Sequence, residues 1–166
     1  MFELKRLSPD AVPAALEKAH RYRLLNEPLE AESICRDVLD VDPENQEALV
    51  TLLLALTDQF DDRLVDVIEP AREALSQLRD EYSRLYYTGI LCERRAKSHL
   101  KRGGPHAAHS AYSWFREAMD NYEKAIELRP PHNDDALLRW NTCARVLMAN
   151  PKLAPEAEEA FHTWLE

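Results

Sequence analysis

Glycine is the residue that most limits what this chain can become. Only Gly89, Gly103 and Gly104 occur in 166 residues, against about 12 in an average protein of this length. Tight hairpin turns and phosphate-cradling loops need backbone that lacks a Cβ or adopts positive φ, so turn-rich β folds and glycine-rich nucleotide loops are excluded. The ten prolines fall mostly between apolar-periodic stretches, where proline opens one helix or stops another. The chain is predicted to be all-α.

Apolar residues recur at three- and four-residue spacing between these breakers, which predicts helices over 10–25, 28–41, 44–59, 62–78, 81–102, 106–129, 134–149 and 153–165. Ser8-Pro9-Asp10, Asn26 with Pro28, Asp42-Pro43 and the stretch from Asn150 to Pro155 signal the starts. Short connections force neighbours to lie antiparallel in pairs. Pro70 is the misfit and is expected to kink the fourth helix or to mark its start at Glu69. Tyr112, Phe115, Met119, Tyr122 and Ile126 form an apolar stripe expected to face Tyr82, Leu85, Gly89, Cys92 and Ala96.

One domain of this length can bury about 70% of its unfolded surface without disulfides or metal. Cys35, Cys92 and Cys143 have no CxxC spacing and read as small buried apolar residues. The N-terminal MFELKRLSPD lacks a signal-peptide core, and the longest apolar stretch, residues 48–56, is far below the ~18 residues of a membrane span. A cytoplasmic protein is expected. Its net charge of −9 opposes nucleic acid and anionic membranes. The exception is a basic run of Arg84, Arg94, Arg95, Lys97, Lys101 and Arg102, followed by His106 and His109. Cations just before Gly103-Gly104-Pro105 suit the last turn of a helix; the competing reading is a patch at 94–109 for RNA or another anion. His99, His106 and His109 have no cysteine or carboxylate spaced to complete a metal site. No catalytic motif, metal site or cofactor site is evident, so none is expected.

The chain also repeats itself. Residues 30–43 align with 117–130, with Glu30, Ala31 and Pro43 matched by Glu117, Ala118 and Pro130, and Val38 by Ala125. This spacing of small residues followed by proline resembles the tetratricopeptide repeat family, whose units are two antiparallel helices in contact at small side chains. The first unit, 10–43, rests on Ala19, Tyr22, Ala31, Val38 and Pro43. The second, 44–79, fits Leu54-Ala55 and Ala74-Leu75 but carries two extra residues and ends on Arg79 instead of proline. The third, 80–130, fits Leu85, Gly89, Ala118, Ala125 and Pro130. A fourth, 132–166, would use Trp140, Ala144, Ala157 and Phe161. The resemblance implies a single right-handed helical-repeat solenoid that binds another protein or peptide and catalyses nothing.

Gly89 to Ala118 spans 29 residues where the family has about 12. The excess of 17, centred near 97–112, should lengthen both helices of the third unit into a projecting hairpin with Gly103-Gly104 at its tip. Trp114 lies off the apolar stripe, leaving two readings, ordinary packing or an anchor at an interface. Lys101, Arg102, His106 and His109 would flank it there, and self-association into a homodimer is one outcome. The family pattern implies a concave groove lined by Leu16, His20 and Arg23 from the first unit, Tyr86, Ile90 and Arg94 from the third, and Asn141 with Arg145 from the fourth. The second unit is ambiguous by two residues and contributes none.

Overall fold

A computed structural model describes residues 1–154, and every described element is helical. A 3-10 turn at Pro9–Ala11 leads into α1 (Val12–Leu24), followed by α2 (Pro28–Val41), α3 (Gln46–Thr57), α4 (Phe60–Ser76), α5 (Glu81–Arg102), α6 (Ala107–Leu128) and α7 (Asp135–Ala149). The eighth expected helix, with Ala157, Phe161 and Trp164, lies outside the described residues, apart from its first two positions.

The helix boundaries follow local chemistry. Pro9 and Pro28 occupy first-turn positions, where a missing N–H costs nothing. The Asn45 side chain accepts from the Ala48 amide at 2.9 Å, so α3 begins two residues beyond the expected start at 44. Asp80 caps α5 in the same way through the Ser83 amide. Gly103 and Gly104 then end the helix with φ of +69° and +110°, conformations that side-chain-bearing residues resist.

Sequential helices pack against one another throughout, and α3 also touches both α1 and α5. Two cores result. One gathers Ala19, Cys35, Leu53, Phe60, Val67 and Ala71 from the first four helices; the other gathers Ile90, Phe115, Met119, Tyr122 and Cys143 from the last three. Leu91 and Tyr87 of α5 reach into the first, while Leu54 of α3 reaches into the second, so the α3–α5 contact joins them. The predicted stripe on α6 is present, with Phe115 and Tyr122 fully buried. Gly89 sits against Tyr122: a Cβ there would lie 2.4–2.8 Å from three ring atoms, too close for any side chain without movement. Cys35, Cys92 and Cys143 are buried free thiols.

Two expectations need correction. Pro70 does not start α4, which begins at Phe60, and the kink in this helix falls at Arg63 (φ −133°, ψ 29°), its one residue with non-helical dihedrals. Local geometry here is fixed by a tertiary contact, because the Phe60 carbonyl accepts from Ser98 Oγ at 3.0 Å and from Arg102 at 2.8 Å. The α5–α6 hairpin, for its part, is not a free arm. Lys101 pairs with Asp61 at 2.7 Å, and Ala96 and Ser98 are buried, so the distal half of α5 lies against the start of α4.

Candidate partner-binding surface

The four odd-numbered helices are joined by a chain of charged contacts. Between α1 and α3, His20 Nε2 meets Glu47 Oε1 at 2.9 Å. Arg23 Nε donates to Asp58 Oδ2 at 2.8 Å. The second Asp58 oxygen accepts from Arg94 of α5, and the same guanidinium nitrogen also reaches the Leu54 carbonyl at 3.2 Å and Thr57 Oγ1 at 2.8 Å. Asp58 is thus held between two arginines, and all three side chains are only about one-fifth exposed: 20%, 23% and 22% for Arg23, Asp58 and Arg94. Removing one member of a group so enclosed costs more than breaking a surface ion pair, because the charge left behind has little water to return to.

Further along, α5 joins α6 and α7 through Glu93. Its carboxylate is fully buried and accepts from Tyr122 Oη at 2.7 Å, from Lys97 Nζ, and from Arg139 of α7 at 3.3 Å. Burial alone pushes the Glu93 pKa up. The hydrogen bonds from Lys97 and Tyr122 and the charges of Lys97 and Arg139 outweigh it, so the carboxyl stays below its ordinary range. Burial and the Glu93 charge push the Tyr122 hydroxyl strongly upward, fixing it as a donor. Beside this cluster Tyr82 and Tyr86 stack with centroids 5.8 Å apart, and Tyr86 lies 6.0 Å from Tyr122, a half-exposed aromatic ledge next to Arg139.

The eight residues assigned to a groove divide three ways. Leu16 and Ile90 are interior: Leu16 is 4% exposed among Val38 and Ala48, and Ile90 is 2% exposed within the second core. They are apolar residues on helix faces that the neighbouring helices cover, and neither can line a surface. His20, Arg23 and Arg94 are brought together by the seam, but each already has a partner inside the molecule. Tyr86 is half-buried in the aromatic ledge, Asn141 is half-buried one turn before Arg145, and Arg145 is exposed with no ion pair among the described residues.

The residues assigned to the hairpin also separate. Lys101 and Arg102 bind α4, His106 is exposed immediately before α6, and His109 is half-buried. Trp114 packs partly against the second core, and the Arg95 guanidinium lies 4.0 Å above its ring.

Sequence reasoning missed Glu47, Asp58, Glu93 and Arg139, and it placed Lys97 only in the basic run. Glu47 and Asp58 fell in the unit whose register was open. Glu93 did carry a signal, since it shares the apolar face of α5 with Gly89 and Ala96, and a carboxylate on a core stripe demands partners.

No group of three histidine, cysteine or acidic side chains among the described residues could hold a metal, and none of the described helices is long and apolar enough to cross a membrane. Set against protein-family models, curated proteins and solved structures, the chain matches none.

Proposed function

We propose that the chain is a non-catalytic interaction module of the cytoplasm, built from tetratricopeptide-like helix pairs, whose odd-numbered helices present a surface to a partner protein or peptide. The observation that carries this reading is the contact pattern: each helix packs on the next in sequence, and α3 also touches α1 and α5. Such an order leaves one face of the odd helices uncovered by the even ones. On that face the seam charges are mutually satisfied, so recognition falls to the Tyr82–Tyr86 ledge and to Asn141 and Arg145 of α7. Aromatic and arginine side chains of this kind dominate interface energetics. The seam itself acts as a rigid floor.

Peptide-display selection on the whole chain tests this. Selected peptides should bind wild type and lose affinity for a double Asn141→Ala, Arg145→Ala variant of unchanged helix content. Equal binding by both removes α7 from the surface.

A further inference from the structure

Arg94 and Arg95 are set about 100° apart around α5, Arg94 reaching α3 and Arg95 reaching Trp114 of α6, and only Arg94 is satisfied. Arg95 makes no hydrogen bond or ion pair among the described residues; its Nε is buried without a partner, and its guanidinium carbon sits 4.0 Å over the Trp114 ring. One turn further, His99 Nε2 is likewise buried and unpartnered. Arg72 of α4 brings a second positive charge close enough to be felt at Arg95. Its own partner, Glu69, lies on the same helix in an exposed i,i+3 pair, which holds it weakly.

We propose that Arg72, Arg95 and His99 form a binding site for a phosphate-type oxyanion, on the face where α4 crosses the α5–α6 hairpin and with Trp114 as its shelf. The site is independent of the surface described under Proposed function and stands or falls separately.

Four features favour such a ligand. A buried guanidinium N–H without an acceptor is rare and costly, and an oxyanion supplies acceptors to the Arg95 fork. Stacking on Trp114 holds the guanidinium in one orientation before a ligand arrives, which lowers the entropic cost of gripping it. The planar fork of arginine matches two oxygens of a tetrahedral anion. Finally, Arg72, Arg95 and Arg102 gather positive charge in a chain of net charge −9, with Glu69 and Glu117 as the opposing carboxylates. Burial, Arg95 and Arg102 all push the His99 pKa down, with no carboxylate among the causes. At Arg95, burial and then Arg72 lower the pKa more than Glu117 and Glu69 raise it. The rest of the basic run is otherwise engaged: Arg94 with Asp58, Lys97 with Glu93, and Lys101 with Asp61.

Titration of inorganic phosphate into the full chain at low ionic strength, followed by calorimetry and by NMR of the Arg95 Nε–H and Trp114 indole signals, tests the proposal. A single saturable site is expected that prefers phosphate to acetate and weakens with salt. A parallel arm with phosphoserine distinguishes a free ion from an ester-borne phosphoryl group. Losing the Arg95 fork in Arg95→Gln should weaken binding about tenfold or more, and Arg72→Gln and His99→Gln about threefold each. Arg72 is exposed, so its variant reports binding even if Arg95→Gln disturbs the hairpin. Arg21→Gln, on remote α1, should bind as wild type does. Bound phosphate should also raise the His99 pKa by offsetting the Arg95 and Arg102 charges. Equal responses to phosphate and acetate, undiminished binding by both Arg72→Gln and Arg95→Gln, or an equal loss in Arg21→Gln would overturn the site.

Discussion

Arg94 and Arg95 are neighbours in sequence and opposites in circumstance. On one side of α5, Arg94 finds Leu54, Thr57 and Asp58, while Glu93 beside it collects Tyr122, Lys97 and Arg139. Arg95, by contrast, has an aromatic ring beneath it, Arg72 near enough to be felt and a buried Nε without an acceptor. The first arrangement is closed, with acceptors matched to donors within the chain. The second is open, because its donors outnumber its acceptors. A charged residue serves the fold where its partners belong to the same molecule; where they do not, it is available to something else. Basic residues counted along a sequence cannot make that distinction.

Substitutions on the closed side should cost most. Glu93→Gln takes the carboxylate from Lys97 and Arg139, both of which keep contact with water, and is expected to destabilise by about 1.5–3 kcal/mol in urea denaturation, the range for lost hydrogen bonds to a charged group. The folded Glu93 pKa lies below its unfolded value of 4.5, so its stabilisation is complete above that pH and is lost as pH falls through the folded value. The variant should therefore lose part of the acid dependence of stability. A loss under about 1 kcal/mol would place Glu93 in the same class as Arg95.

Next in size is Gly89→Ala. Alanine gains about 1 kcal/mol in helix propensity, yet its Cβ would strike the Tyr122 ring, and a net loss of about 1–3 kcal/mol is expected from overpacking. A melting point at or above that of wild type would show that Tyr122 can give way, and with it the Glu93 cluster. The direct comparison comes third. Arg94→Ala should cost about 1.5–3 kcal/mol through lost charge-assisted hydrogen bonds, whereas Arg95→Ala should cost no more than the roughly 0.5–1 kcal/mol of its cation–π contact. Equal costs would erase the contrast between the two faces. Smallest of all, Arg145→Ala should stay within about 0.5 kcal/mol of wild type, as an exposed residue without partners does.

Helix number and order over the described residues were legible because they depend on local punctuation, such as Pro28, Gly103-Gly104 and Pro130. Gly89 was legible too, since the apolar stripe of the sixth predicted helix required a close neighbour there. Arg63 was not. Its non-helical backbone accompanies Ser98 and Arg102 bonding to the Phe60 carbonyl some forty residues away, and no periodicity encodes that. Leu16 and Ile90 were misplaced because a family register assigns a face to the surface without knowing what neighbouring helices cover. His20, Arg23 and Arg94 were found as a group, but their partners Glu47 and Asp58 lay in the one unit whose register two extra residues had obscured.

The three cysteines are distributed as if to report on the molecule in thirds. Cys35 belongs to α2, Cys92 to α5 and Cys143 to α7, each buried where its helix meets a neighbour. Burial pushes every one of these thiols up to about 12, so in the closed state neither access nor thiolate is on offer to an alkylating reagent. Labelling must wait for local opening. Its rate at each position becomes a clock for that part of the chain, and the native sequence supplies all three clocks without a single substitution.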